Sequence, residues 1–85
     1  MKKFILSCEI TDKEAIISGK RHVIVIKPNG MRFYMDDFFM DVIKGMNDED
    51  LIERLKYRYS VPEEYVTRAI EVALKGGFVL KEDDR

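Results

Sequence analysis

The chain has 85 residues, a formal net charge of −1 and 46% hydrophobic residues, which is typical of one small folded domain. A domain of this size buries one modest core, so a deep enclosed active site is not expected. The 15 basic residues do not outnumber the 16 acidic ones, so the basic excess of a nucleic-acid-binding protein is missing.

The cysteine content and the apolar segments bear on the compartment. The one cysteine, Cys8, excludes an internal disulfide, which favours a reducing compartment. The N-terminus begins like a secretory signal, but its apolar run ends at Ser7 and Glu9 and is too short for one. No stretch approaches the ~20 apolar residues of a membrane span. We therefore expect a cytoplasmic protein that does not bind membranes.

Three strands are predicted before residue 36. Residues 4–10 form the first, and the polar segment 11–15 ends it. A second β-rich segment covers residues 15–28 and is interrupted at Gly19 and Lys20. The sequence Pro-Asn-Gly at 28–30 then reverses the chain, because proline presets φ while asparagine and glycine tolerate positive φ. Residues 31–35 run back as the second strand of this hairpin, which is the third strand predicted.

The spacing of apolar residues after position 35 predicts helices. Asp36 and Asp37 can cap the first helix, which is expected to end near Gly45. Asn47 is predicted to cap the second helix, with Asp50 three residues further on in the manner of a capping box.

The third helix is predicted to begin with Ser60 or Val61 as its cap and Pro62 in its first turn. Glycines at 76–77 end it. Residues 78–80 either form a short strand or simply pack against the core.

Residues 81–85 are predicted to be a solvated tail of a single domain covering 1–85. Strands that precede helices indicate an α+β domain, with helices on one face of a small antiparallel sheet. We predict a three-stranded antiparallel sheet followed by three helices.

The sequence gives little indication of catalysis. His22 is the only histidine, and no His/Cys group has the spacing of metal ligands, so neither a metal nor a cofactor is expected. Cys8 lies in an apolar strand, where a cysteine is usually a small core residue. The adjacent carboxylates stand at predicted helix starts, where the helix dipole accounts for them. We therefore expect a binding protein rather than an enzyme.

The third helix carries two apolar stripes side by side. The stripe expected to face the core consists of Val66, Ile70, Ala73 and Leu74. The second stripe consists of Tyr65, Ala69, Val72 and Gly76. Such a helix is either wrapped deeply by its own domain or lines a groove. In a groove, Ala69 and Gly76 would let a foreign backbone approach, and Tyr65 would supply an aromatic wall.

The returning strand of the hairpin has two distinct faces. Met31, Phe33 and Met35 alternate with Arg32 and Tyr34. Because Met35 leads into the first helix, its face is expected to be the core face, and the other two side chains then point away. If this strand is a free edge beside the third helix, an extended peptide could add to it, held by main-chain hydrogen bonds and selected by side-chain pockets.

Residues 20–80 resemble the PqqD-like family, the precursor-peptide recognition element of ribosomally synthesised, post-translationally modified peptide (RiPP) pathways. The resemblance is carried by a hairpin that closes on an apolar–acidic step, a short polar break, a Tyr-x-Val step into the last helix and a Gly-apolar-apolar close. The apolar–acidic step is Met35-Asp36, Ile43 ends the first helix, and the polar break covers 45–50. Tyr59 and Val61 form the Tyr-x-Val step, and Gly77-Phe78-Val79 form the close.

This resemblance implies a winged helix-turn-helix-like fold that binds the leader peptide of a precursor as an extra strand between the third strand and the third helix. The positions that would contact the peptide are Met31, Arg32, Phe33, Tyr34, Met35, Tyr65, Arg68, Ala69 and Val72. Arg68 either pairs with acidic leader residues or is a solvated surface arginine. A free-standing domain of this length is similar to those of lasso peptide biosynthesis, which present the precursor to a leader peptidase and a cyclase.

Three alternatives remain open. A pyrroloquinoline-quinone (PQQ)-type peptide chaperone would serve a radical enzyme. A winged-helix DNA-binding regulator would place the third helix in the major groove, although Glu63, Glu64 and Glu71 suit phosphates poorly. An adaptor subunit would merely stabilise a larger enzyme.

Overall fold

The computed structural model describes residues 3–82 and arranges them in five strands and three helices. In chain order these are β1 (Phe4–Leu6), β2 (Glu9–Ile17), β3 (Lys20–Ile26), β4 (Arg32–Met35), α1 (Asp37–Lys44), α2 (Leu51–Tyr59), α3 (Glu63–Lys75) and β5 (Val79–Lys81). Strands β2, β3 and β4 form an antiparallel sheet with β3 in the centre, whereas β1 pairs antiparallel with β5. The predicted α+β class, the three-stranded antiparallel sheet and the three helices are confirmed. The second sheet, formed by β1 and β5, was not predicted.

The N-terminal segment differs from its prediction. The prediction of a single strand over residues 4–10 is wrong. The extended conformation is interrupted at Ser7 and Cys8, and β1 pairs with the C-terminal strand β5. The amide of Ser7 donates to the carbonyl of Phe78 at 2.8 Å, which continues the β1–β5 pairing beyond the strand itself. A short local pattern could not predict a partner that lies at the other end of the chain.

The polar segment 11–15 does not end a strand, contrary to prediction, but lies within β2. The register between β2 and β3 shifts between Ile10 and Glu14. Within this irregular stretch, the hydroxyl of Thr11 donates to the carbonyl of Ile24 at 2.7 Å. A polar side chain therefore satisfies a backbone group where the ladder is interrupted.

The turn between β3 and β4 has three residues and forms as the sequence predicts. The amide of Gly30 donates to the carbonyl of Lys27 at 2.8 Å, and the amide of Lys27 donates to the carbonyl of Met31 at 2.9 Å. Only Gly30 takes a positive φ, of 90°. Asn29 contributes through its side chain instead, whose oxygen accepts the amide of Met31 at 3.0 Å.

The predicted start of α1 is confirmed, whereas that of α3 is not. Asp36 caps α1 as expected, because its carboxylate accepts the amide of Phe39 at 2.9 Å. Ser60 does not cap α3 but ends α2 in a left-handed conformation with a φ of 54°. Pro62 precedes α3 rather than lying in its first turn, so the cap predicted at Ser60 or Val61 is wrong.

The predicted cap at Asn47 is also wrong. Helix α2 begins after Asp50, and the side chain of Asn47 binds β1 instead. Its oxygen accepts the amides of Lys3 at 2.8 Å and Phe4 at 2.9 Å, and its nitrogen donates to the carbonyl of Phe4 at 2.9 Å. Asn47 therefore holds the N-terminal strand against the loop between α1 and α2.

The core lies between one face of the three-stranded sheet, the three helices and β5. Its buried side chains are Val23, Val25, Met35, Met40, Val42, Ile43, Met46, Leu51, Leu55, Val66, Ala73, Phe78 and Val79. The predicted tail begins later than expected, because Lys81 belongs to β5 and the amide of Glu82 donates to the carbonyl of Lys3 at 2.7 Å. The rest of that predicted tail, residues 83–85, lies outside the described residues.

Candidate functional site

The outer edge of β4 has no neighbouring strand among residues 3–82. Strand β4 pairs with β3 on one side, and β5 pairs with β1 rather than with β4. The described C-terminal segment therefore does not fill this edge. An unpaired edge presents main-chain donors and acceptors that can bind another extended chain.

The hydrogen-bond pattern of the hairpin indicates which residues use this edge. In an antiparallel pair, residues alternate between those that exchange main-chain hydrogen bonds and those that do not. Lys27 and Met31 form the bonded pair that closes the turn. Bonded pairs recur at every second residue. In the observed register, Phe33 and Met35 are therefore the β4 residues that bond to β3.

Arg32 and Tyr34 lie between these bonded positions, so their main-chain amides and carbonyls point to the open edge. The partner of Tyr34 on β3 supports this assignment. Its partner is Ile24, whose carbonyl accepts the hydroxyl of Thr11 and is therefore directed toward β2, away from β4.

The side chains of β4 separate into two faces, as predicted. Met35 is buried, and Phe33 is half-buried against the core. Tyr34 is 57% exposed and Arg32 is also exposed, on the face that the helices do not cover. The placement of Met31 on the core face is wrong, because Met31 precedes the strand and is 54% exposed. Among the predicted contact positions, Met35 thus offers a ligand neither an open main-chain group nor an accessible side chain.

Aromatic contacts link the start of α3 and the residues after it to the region of β4. The ring of Tyr65, in the first turn of α3, lies 5.0 Å from the ring of Phe38, which follows β4. The ring of Phe78, three residues after the end of α3, lies 5.1 Å from the ring of Phe33 in β4. The first contact therefore joins α3 to α1 just after β4, and the second joins the segment that follows α3 to β4 itself.

The second apolar stripe of α3 is open to solvent on the side of these contacts. Tyr65 and Val72 are each 54% exposed, while Ala69 is half-buried against the core. At Gly76, an added Cβ would lie 2.8 Å from the ring of Phe78, so the helix end packs closely here. Of the two interpretations of this stripe, deep wrapping by the domain does not fit these exposures.

Two arginines beside this region form no ion pair with the described residues. Residues 3–82 contain five arginines, and Arg21, Arg54 and Arg58 bind carboxylates within 4 Å. Arg32 on β4 and Arg68 on α3 form no such contact within that part of the chain. Arg68 lies next to Ala69 on the exposed side of the helix. Arg68 lines a cavity with Glu63, Glu64, Thr67 and Glu71 of the same helix, and none of the residues lining it belongs to β4.

Three further residues of this region were not singled out as contact positions from the sequence. The ring of Phe38 contacts Tyr65, and the ring of Phe78 contacts Phe33. The sequence predicts Phe38 only as part of an apolar helix face and Phe78 only as part of the Gly-apolar-apolar close. The ammonium of Lys27 donates to the carbonyl of Gly76 and lies over the ring of Phe78 at 5.2 Å. No local pattern predicts Lys27, because its partner lies 49 residues away.

A cavity of about 640 Å³ lies between β2, β3, α1 and α2. Most of its charged groups pair with one another, since Arg21 binds Glu14 and Asp37 and Arg58 lies 3.4 Å from Asp41, while Lys44 forms no ion pair within residues 3–82. The hydroxyl of Tyr59 donates to Asp41. Burial, together with this hydrogen bond, raises the pKa of Tyr59 to about 12. The pairing of these groups leaves little free charge to recognise a ligand.

The remaining candidate reactive groups do not assemble into a site. Partial burial raises the pKa of the Cys8 thiol, and the nearby ammonium of Lys27 offsets this only in part, so the thiol is not activated. A ring nitrogen of His22 lies 3.0 Å from the carbonyl of Lys20 on the same strand. No group of three potential metal ligands occurs within residues 3–82.

Within the described residues, no helix has the length and apolar character needed to cross a membrane. Searches with this chain match no protein-family model, no curated protein and no solved structure. The chemistry of the β4 edge and the exposed stripe of α3 is therefore the basis for assigning a function.

Proposed function

We propose that this domain binds the leader segment of a ribosomal precursor peptide as an added strand on β4, beside α3, and presents it to a processing enzyme. The observation that carries the proposal is the open edge of β4, to which the main-chain groups of Arg32 and Tyr34 point. The exposed apolar stripe of α3 would form the other wall of the site and select the side chains of the peptide.

The proposal includes a winged helix-turn-helix-like arrangement. A three-residue connection at 60–62 joins α2 to α3, which is the short turn that such a motif requires. The β2–β3 hairpin would then be the wing. This arrangement agrees with what the resemblance to PqqD-like domains implies for residues 20–80.

The expected affinity follows from the few groups that β4 offers. Arg32 and Tyr34 provide four open main-chain groups, and each hydrogen bond contributes about 1 kcal/mol net. Binding at 1 μM requires about 8 kcal/mol. The remainder must come from apolar side chains that pack against Tyr65, Ala69 and Val72, so these positions should decide which peptides bind.

The processing chemistry would lie in the partner protein. In a lasso peptide pathway, the partner is a leader peptidase that acts before a cyclase. A PQQ-type role, in which the domain serves a radical enzyme, is the alternative and uses the same surface. Both versions place the protein in the cytoplasm as a peptide-binding module of natural product biosynthesis.

The DNA-binding alternative receives little support from the charges of α3. Glu63 and Glu64 are exposed in its first turn, and Glu71 is exposed two turns later. Arg68 and Lys75 are the only cations of this helix. A recognition helix with this balance would repel the phosphate backbone. A salt-dependent gel shift at low micromolar protein would revive this alternative.

Peptide selection followed by mapping tests the proposal. Random peptides of about ten residues, long enough to form a strand, are selected on the folded domain by display. The enriched peptides are then titrated into the labelled protein by NMR. We expect low micromolar binding, with amide shifts concentrated in 32–35 and on the face of α3 that carries Val72.

A matched pair of charge substitutions supplies the control. Val72→Glu places a carboxylate in the stripe and should abolish binding, whereas Thr67→Glu adds the same charge to the same helix on its far exposed side and should leave binding unchanged. Both positions are exposed, so both variants should fold. Unchanged binding by the Val72 variant, or amide shifts that avoid β4, would overturn the assignment.

A further inference from the structure

The proposed peptide site is basic at one end. Lys27 lies there, with its ammonium bonded to the carbonyl of Gly76 and 5.7 Å from the centroid of the Phe33 ring. Arg32 is paired across the strands with the residue before Lys27, and Lys75 precedes Gly76. None of these three cations forms an ion pair with a carboxylate among residues 3–82. We call Lys27, Arg32 and Lys75 the basic end.

The opposite end of the same site is acidic. Asp36 and Asp37 follow β4, and Glu63 and Glu64 begin α3. The contact between the rings of Phe38 and Tyr65 brings these two segments together. We call the four carboxylates the acidic end.

Three cations also border the acidic end. Lys20 and Arg21 help to line a cavity of about 370 Å³ there, Arg21 lies 3.2 Å from Asp37, and Arg68 lines a cavity together with Glu63 and Glu64. A small excess of negative charge remains, since four carboxylates face three cations. The site therefore has an electrostatic direction along β4, from the basic start of the strand to its acidic end.

We propose, on the premise that the peptide site is the one described above, that it selects peptides whose acidic residues follow their apolar anchors. Every strand pair among the described residues is antiparallel, and antiparallel pairing is also the more stable kind. An added strand antiparallel to β4 begins at the acidic end and finishes at the basic end. Its C-terminal half thus meets Lys27, Arg32 and Lys75.

The register of such a strand places its side chains. Peptide residues opposite Tyr34 and Arg32 have their side chains on the outer face of the sheet, while the residue between them faces the side of Phe33 and α3. Apolar anchors therefore occupy alternate positions that face α3. A carboxylate opposite Arg32, followed by further acidic residues, then reaches the unpaired cations.

Two synthetic peptides with the same composition test this inference. Both are fluorescein-labelled, about ten residues long, and contain alternating leucine and threonine next to a pair of glutamates. In one the glutamates follow the apolar segment, and in the other they precede it. We expect the acid-last peptide to bind roughly five- to tenfold more tightly at low salt, and the difference to shrink at high salt because surface charges are screened.

Matched variants identify the residues responsible. Arg32→Gln combined with Lys75→Gln should remove the difference between the two peptides. Lys13→Gln combined with Lys44→Gln removes the same charge from exposed positions away from the site and should preserve the difference. Circular dichroism of each variant verifies that it is folded.

The outcomes separate this inference from the proposed function. If both peptides bind equally well at the β4 edge, the electrostatic direction is overturned and the proposed function stands. If the acid-first peptide binds more tightly, the antiparallel orientation is overturned. If neither peptide binds while display selection also enriches none, the inference and the proposed function fail together.

Discussion

Strands β2 and β4 are both edges of the same sheet, but they differ in how strongly they discourage pairing. β2 is nine residues long, its register shifts between Ile10 and Glu14, and it carries the charged residues Glu9, Asp12, Lys13 and Glu14. Irregular ladders and charges are the usual means of protecting an exposed edge. β4 has an unbroken register and Arg32 as its only charged residue. The molecule thus protects one edge and leaves the other available.

The surroundings of the two edges differ in the same way. Beneath β2 lies the cavity in which Arg21, Glu14 and Asp41 take part in ion pairs. Next to β4 lie the rings of Phe33 and Phe78, and then the exposed stripe of α3. Two edges of one sheet can therefore have opposite roles, because side chains on neighbouring elements decide whether an added strand would gain apolar contacts.

Proline substitutions within β4 provide the strongest test of this comparison. Phe33→Pro removes a main-chain hydrogen bond to β3 and the ring contact with Phe78, so we expect it to lower the free energy of unfolding by about 3 kcal/mol, mainly through the lost ring packing. Tyr34→Pro removes an amide that points outward, so the domain should remain folded while peptide binding is lost. Urea unfolding and fluorescence anisotropy measure the two effects.

Tyr34→Ala separates the loss of the side chain from the loss of the amide. It should weaken peptide binding less than Tyr34→Pro does, because the alanine amide can still donate to the added strand. Equal unfolding by Phe33→Pro and Tyr34→Pro would contradict the assigned direction of the main-chain groups.

Strand β1 provides an internal example of how this domain captures a short extended segment. Its three residues pair with β5, and the side chain of Asn47 adds three hydrogen bonds to Lys3 and Phe4. We expect Asn47→Ala to cost about 1 kcal/mol, since these bonds are exposed, and to speed amide exchange in β1 and β5. Asn47→Asp retains the acceptor and should have an intermediate effect. Unchanged exchange in the alanine variant would show that strand pairing alone holds β1.

The smallest effect should come from the charged cavity beneath β2. Because Tyr59 has a pKa near 12 in the folded protein and 10.0 as the ordinary value, the stability it contributes is complete below pH 10 and is lost as pH rises through 12. Tyrosinate absorbance should include a component near pH 12 that is missing in Tyr59→Phe. Peptide binding at β4 should be the same in both proteins at neutral pH. A weaker affinity in the variant would show that the two regions are coupled.

The elements that sequence predicts well are those whose cause is local. The β3–β4 hairpin follows from its turn residues, and the three helices follow from apolar periodicity and from Asp36 as a cap. The prediction for Asn47 is wrong because an asparagine shortly before a helix usually caps it, whereas the actual partners of Asn47 lie 43 and 44 residues away. The same limit explains why β1 could not be assigned to β5 from the sequence.

The same distinction between local patterns and distant contacts applies to the candidate site. Alternation within β4 predicts that Tyr34 is exposed and Met35 buried, and helical spacing predicts the stripe that contains Val72. The closeness of Lys27 to the end of α3 depends on a contact between distant residues, and so do the two charged ends of the site. Sequence thus predicts the faces of single elements, whereas their alignment requires the folded structure.

The described part of the molecule is a flat plate, measuring 41 × 33 × 18 Å. A strand added to β4 widens the three-stranded sheet by about 4.8 Å and becomes its new edge. A processing enzyme would then meet the open main-chain groups of the peptide at that edge, in place of those of β4.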